Sequence, residues 1–207
     1  MSAGIDRRNL IKGGLAASAA LALPNRAFAA ADGLSSYERR LFDVAMRERD
    51  RAGSNLWRTD LIGIADYGQP SWKPRLHFLN MESGALRSFL LAHGKGSDPD
   101  HDGWLNSFSK EPGSEATSRG GYLTCEWYSG KYGTSIRLVG LEEDNSTALE
   151  RAIVMHSAWY VEPAMIDKWG KIGRSQGCFA MAPEDFNEAL WHLSGGRLLY
   201  ADRIGEA

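Results

Sequence analysis

The spacing of apolar and polar positions changes character along the chain, and each change predicts an element. Over residues 35–52 Tyr37, Leu41, Val44 and Ala45 fall at helical spacing, which predicts an amphipathic helix. Ser35-Ser36-Tyr37-Glu38 is a capping-box pattern at its start and Gly53 a stop. From Leu61 the period shortens to that of strands. Residues 61–66 are an apolar run, 75–81 alternate polar and apolar, and 86–92 continue after the Ser83-Gly84 turn. The three predict a hairpin meander. Residues 121–128 and 134–141 read as two further strands around Gly130-Lys131-Tyr132-Gly133, and 152–156 as a buried strand. Glu162-Pro163 opens a short helix through Trp169, with Gly170 as its stop. Pro183-Glu184-Asp185 opens another, with Phe186, Ala189, Leu190 and Leu193 on its apolar face. Residues 197–201 close the sheet. No segment repeats. The fold class is mainly β with a few helices.

The N-terminal 29 residues do not follow these patterns. Adjacent arginines, Arg7 and Arg8, precede a small-residue apolar run that Pro24 ends, and Ala27-Phe28-Ala29 fits a small-x-small cleavage site. The arginine pair suggests twin-arginine (Tat) export, with an ordinary Sec signal as the alternative. The run is too short and too rich in Ala and Gly for a stable membrane anchor. No cysteine follows the cleavage site to carry a lipid. The expected organisation is an export signal over 1–29, a helical segment over 30–59 and a catalytic domain over 60–207. Without residues 1–29 the chain carries a net charge of about −5, which gives no electrostatic case for nucleic acid or an anionic membrane surface. Neither C-x-x-C nor paired Cys/His spacing for a metal is present. The oligomeric state is open.

The chemistry concentrates in Gly173-Arg174-Ser175-Gln176-Gly177-Cys178-Phe179-Ala180, read with Met155-His156-Ser157. Glycines around a cysteine let the backbone turn sharply and approach a substrate. The apolar strand delivers His156 to its edge. An imidazole beside a thiol draws off its proton and lowers the thiol pKa, which makes Cys178 a candidate nucleophile and His156 its base. Amides near Gly177 and Cys178 are candidate oxyanion donors. Ser157 and Ser175 are candidates for added hydrogen bonds, and Arg174 for a substrate carboxylate. Arg137 either faces the cleft and holds a carboxylate or is a surface arginine. His93 is either a second cleft imidazole or a loop histidine with a local hydrogen bond. His77 is expected on a strand surface. Asp98-Pro99-Asp100-His101-Asp102-Gly103 resembles a calcium loop, but Ser109 stands at its twelfth position, and a solvated acidic loop is expected. Residues 107–121 suit a functional loop. Cys125 is expected as a strand spectator, with a redox partner for Cys178 as the alternative.

His156-Ser157 followed by Ser175-x-Gly177-Cys178 resembles the signature of YkuD-type L,D-transpeptidases, the peptidoglycan cross-linking cysteine enzymes. The resemblance extends over roughly residues 60–201, through Leu91-Ala92-His93-Gly94 and Gly133-Thr134-Ser135-Ile136-Arg137-Leu138, segments that look like the murein L,D-transpeptidase catalytic-domain branch. It implies a twisted β-sandwich-like domain with the cysteine in a cleft, no cofactor, and an imidazole oriented by a backbone carbonyl. It also implies peptidoglycan stem peptides as partners in the periplasm or cell envelope. The expected product is a 3→3 cross-link, or a tripeptide if water is the acceptor. Many family members carry an arginine two residues after the cysteine, where this chain has Ala180, so either Arg174 or Arg137 provides that charge or the substrate differs. Another cysteine amidase or acyltransferase, and a non-catalytic peptidoglycan-binding protein, are the alternatives.

Overall fold

A computed structural model describes residues 33–205. The export signal and its cleavage site lie outside the described residues. The eight strands are β1 (Leu61–Asp66), β2 (Leu76–Asn80), β3 (Leu86–Phe89), β4 (Gly120–Gly130), β5 (Gly133–Gly140), β6 (Val154–Ser157), β7 (Phe179–Met181) and β8 (Leu198–Asp202). The helices are α1 (Ser36–Ala52), α2 (Pro163–Trp169) and α3 (Pro183–His192). One mixed sheet holds all the strands in the order β3-β2-β1-β8-β4-β5-β6-β7. The β1–β2–β3 meander is antiparallel. The last strand does not close an edge. β8 lies in the middle, parallel to β1 and antiparallel to β4. Its buried run, Leu198 to Ala201, suits a central strand, since neither face meets water.

The sheet curls around one large core. Leu61, Ala65, Phe78, Tyr122, Ile136, Met155, Phe179, Met181 and Leu199 face inward and meet Phe186 and Ala189 of α3 and Leu193 just after it. The opposite face of β1 and β8 packs Ile62, Ile64, Leu198 and Tyr200 against Leu41, Val44 and Ala45 of α1. Alternation with period 2 in the strands, meeting helical spacing in α1, makes this two-layer contact. The capping box is present: the Ser35 Oγ accepts from Glu38 N–H, and the Glu38 carboxylate accepts from Ser35 N–H at 2.7 Å.

α1 also corrects the expectation for His77, which is buried rather than surface-facing. Tyr37 of α1 covers it, with its hydroxyl 3.1 Å from His77 Nε2 and donating to Asp66 Oδ2 at 2.6 Å. Ser88 Oγ meets Nδ1 at 2.8 Å.

The two sheet edges approach each other beside the candidate site. Beyond β3 the chain stays extended, and Ala92 N–H donates to the Ala180 carbonyl of β7 at 2.9 Å. Ser175 N–H donates to His93 O and Lys95 N–H to Ser175 O, both at 2.8 Å. A smaller apolar cluster, Leu90, Ala92, Ala158, Val161, Ile172 and Ala180, fills this seam.

Candidate active site

Strand register sets the thiol and the imidazole on one face of the sheet. β6 and β7 pair in parallel, Met155 with Phe179, His156 with Ala180 and Ser157 with Met181. Met155, Phe179 and Met181 point into the main core. Alternation therefore turns Val154, His156, Ala180 and Cys178 to the other face. Extending that register one residue back sets Cys178 opposite Val154, diagonal to His156.

His156 is 4% exposed. Its Nδ1 lies 2.9 Å from the Ser157 carbonyl. A carbonyl only accepts, so Nδ1 carries the hydrogen and Nε2 keeps the basic lone pair. Tyr132, in the two-residue turn between β4 and β5, stacks on the imidazole with ring centroids 4.7 Å apart and planes at 19°. Burial lowers the His156 pKa, and the Ser157 hydrogen bond raises it in part.

Cys178 is 7% exposed, and its Sγ lies 3.7 Å from the Ala152 carbonyl. Burial raises its pKa, opposed by a hydrogen bond from the Val154 backbone and by the charge of Arg151. The sequence led us to expect a depressed thiol pKa. With both groups buried, the neutral thiol and neutral imidazole are favoured instead.

Ser175 shapes the nucleophile turn. It is 5% exposed, and its hydroxyl donates to the Cys178 carbonyl at 2.7 Å and accepts from Gly177 N–H at 3.1 Å. Gly177 has φ +110°, and a Cβ there would lie 2.7 Å from the Ala116 carbonyl. Both facts require glycine. Arg174 donates to the Asp98 and Pro99 carbonyls, which directs it to a loop and not to the thiol. Ser157 contributes its carbonyl to His156.

Arg137 pairs with Val154 across β5 and β6, and Ser135 pairs with His156. Arg137 thus shares the outer face of the sheet with the candidate pair. Its Nε donates to Glu126 at 2.7 Å, and its guanidinium lies over the Tyr128 ring.

His93 is buried away from the cleft. Its Nδ1 is 2.9 Å from Arg75 Nη2 and its Nε2 3.0 Å from Asp98 Oδ2. A guanidinium only donates, so Nδ1 accepts and Nε2–H donates to the carboxylate. Burial lowers the His93 pKa, and the Arg75 charge lowers it further. Asp98 is fully buried, which corrects the expectation of a solvated acidic loop at that residue, while Asp100 and Asp102 are exposed. Burial raises its pKa, but N–H donors from Asp102 and Gly103 and the bond from His93 outweigh this, and the net shift is downward. Its carboxylate oxygens take those donors at 2.9 and 3.0 Å. The loop buttresses the strand beside Ser175. Cys125 and Cys178 are both free thiols, so the redox alternative has no disulfide behind it.

The family model for the L,D-transpeptidase catalytic domain matches residues 34–201. The chain belongs to the L,D-transpeptidase family. The model for the twin-arginine translocation signal matches residues 4–24, so this L,D-transpeptidase is exported to the periplasm or cell envelope. Among solved structures the domain is similar to an L,D-transpeptidase from Mycobacterium smegmatis, at 14% identity and TM-score 0.43, over 69% of this chain and 58% of that one. It is also similar to the helical cell shape determining protein Pgp2 from Campylobacter jejuni, at 13% identity and TM-score 0.45, over 83% and 58%. A third similarity is to an L,D-transpeptidase from Stackebrandtia nassauensis, at 13% identity and TM-score 0.41, over 79% and 66%. The chain spans about three-fifths of the length of the first two. No curated protein matches. No helix among the described residues is long and apolar enough to cross a membrane.

Two residues of this L,D-transpeptidase domain escaped the sequence reading. Tyr132 occupies a two-residue hairpin turn, where Asn, Asp or Gly is usual. An aromatic at that place was the available signal. Arg151 sits just before β6 and reaches three oxygens of the 109–118 loop. Nothing in its sequence neighbourhood marks it.

Proposed function

We propose that this domain is a peptidoglycan L,D-transpeptidase with Cys178 as nucleophile and His156 as its base. The observation that carries the reading is the β6–β7 register. It puts both side chains on one face, with the imidazole hydrogen fixed on Nδ1 by Ser157 and the lone pair of Nε2 left for the thiol. Substrate entry displaces Tyr132 from the imidazole. Nε2 then takes the Cys178 proton as Sγ attacks the carbonyl of the L-centre of the stem's third residue, a diamino acid.

The tetrahedral oxyanion requires donors in place before it forms. We assign this role to Cys178 N–H, because Gly177 N–H is held by Ser175 Oγ. Collapse expels D-Ala, whose amine takes the proton back from Nε2, and leaves a thioester on Cys178. The amine of a second stem resolves it into a 3→3 cross-link. Resolution by water gives a tripeptide, which is L,D-carboxypeptidase activity. Arg137, on the same sheet face, is suited to a stem carboxylate once Glu126 releases it.

The test is mass spectrometry of products from the exported protein incubated with disaccharide-tetrapeptide, beside Cys178→Ala. A 3→3 dimer or a tripeptide that depends on Cys178 is expected, and the ratio of the two separates transfer from hydrolysis. An unchanged stem with a folded protein would sink the reading, in favour of another amide substrate or a binding role.

A further inference from the structure

Arg151 is a cation beside the nucleophile turn. It is half-buried. Its Nη1 donates to the Ser109 carbonyl at 2.9 Å and to Ser118 Oγ at 2.7 Å, and its Nη2 to the Ala116 carbonyl at 2.5 Å. All three acceptors are neutral. Among the described residues no carboxylate forms an ion pair with it, whereas Arg137 is paired with Glu126. Nη2 packs against the backbone next to the thiol: a Cβ on Gly177 would lie 3.1 Å from it. The residue after Arg151 provides the carbonyl that Cys178 Sγ meets. Arg151 and Ala152 therefore bracket the nucleophile from one turn, in which Ala152 adopts φ +52°.

The other titratable groups around Cys178 bring no balancing positive charge. His156 on β6 is held neutral by burial. Tyr67 and Tyr160 are phenols whose pKa burial raises, to about 12 for Tyr160. Glu115 on the facing loop is paired with Lys95 and hydrogen-bonded by Gln176.

We propose that Arg151 is a positioning residue for Cys178. Its guanidinium, unmatched by a carboxylate, is the charge against which the thiolate forms, and its hydrogen bonds hold the 109–118 loop over Gly177. The proton still passes from Sγ to His156 Nε2, and Arg151 stays cationic throughout. The direction in which Arg151 moves the Cys178 pKa agrees with this. A uniform hydrogen-bonding role would not require a charge, and that difference is what can be measured.

The inference rests on Cys178 being the nucleophile but needs no peptidoglycan. The experiment follows the rate of Cys178 alkylation by iodoacetamide against pH in the exported protein, read on the Cys178 peptide by mass spectrometry. The wild type is compared with Arg151→Lys and Arg151→Met. Arg151→Met is expected to move the midpoint up by about one pH unit, roughly a ten-fold loss of thiolate at pH 7. Arg151→Lys keeps the charge and is expected to stay close to wild type. Arg151→Gln keeps N–H donors without the charge and is expected to move the midpoint up as Arg151→Met does, so the charge is tested even if Arg151→Met fails to fold. A midpoint that stays at the wild-type value in the folded uncharged variants, or that moves equally in the Lys and Met variants, would overturn the proposal. Failure of the stem-peptide assay with a normal alkylation profile would instead count against the substrate.

Discussion

Lowering the pH from 7.5 to 5 places a proton demand on two imidazoles that the fold holds neutral. His77 sits in a one-way chain: Ser88 Oγ donates to Nδ1, Nε2–H donates to Tyr37, and Tyr37 donates to Asp66. His93 accepts from Arg75 and donates to Asp98. Neither ring has room for a second proton without breaking a bond. Burial pushes the His77 pKa down to about 4, and burial with the Arg75 charge moves His93 in the same direction. An unfolded imidazole titrates near 6.5. Between the folded and unfolded values the unfolded chain binds protons that the folded chain does not. Stability is therefore fully present above about pH 6.5 and is lost as the pH falls below it. At pH 5, about 1.5 units below the unfolded value, each histidine removes about 2 kcal/mol, and the pair about 4 kcal/mol. That is a large share of a typical total of about 5–15 kcal/mol. His156 adds to the effect with the same sign. Urea unfolding at pH 7.5, 6.5 and 5 measures it. His77→Gln keeps a donor and an acceptor in place of the ring and should remove close to half of the loss. Stability that is flat within about 0.5 kcal/mol across this range, or an unchanged slope in His77→Gln, would refute the neutral, buried assignment.

Two further outcomes follow from the site. Ser175→Ala leaves the Cys178 carbonyl and Gly177 N–H without their shared partner, which should cost about 2–4 kcal/mol in urea unfolding and lower turnover of stem peptide together with it. A variant as stable and as active as wild type would remove Ser175 from the nucleophile turn. Tyr132→Ala uncovers the imidazole and should speed labelling of Cys178 by N-ethylmaleimide, with a stability change of about 0.5–1.5 kcal/mol. An unchanged labelling rate would mean that the ring does not guard the thiol.

The elements of this fold are legible in the sequence because their signals are local. The capping box at Ser35, the Pro163 and Pro183 helix starts, and the alternation around Phe78 and Ile136 each need only a few neighbouring residues. What escaped depends on partners far along the chain. Alternation assigns His77 to a face but does not reveal that Tyr37, forty residues earlier, will cover that face. Asp98 reads as one of several loop acids until its own amides and His93 enclose it. Arg174 and Arg137 have the right chemistry for a substrate carboxylate, yet one is turned to the Asp98 loop and the other to Glu126. The Cys178 and His156 candidates stood out because a thiol and an imidazole in glycine-rich and apolar surroundings are uncommon. Their sharing of one face was not in the sequence. It follows from β6 and β7 lying side by side in parallel, with the order of the strands between them set by the whole sheet.

That parallel ladder also determines where length can vary among descendants of this chain. The crossover between Ser157 and Phe179 carries α2 and the Trp159–Val161 turn. Residues gained or lost in its largely exposed stretch, 163–170, leave the pairing of Met155 with Phe179 intact, so that part of the rim can be remodelled. A single residue gained or lost between Ser175 and Phe179 is a different event. It rotates the strand by one position and carries the thiol from the outer face into the core among Tyr122, Met155 and Leu199. Insertions and deletions should accordingly accumulate on one side of Ser175 and be purged on the other.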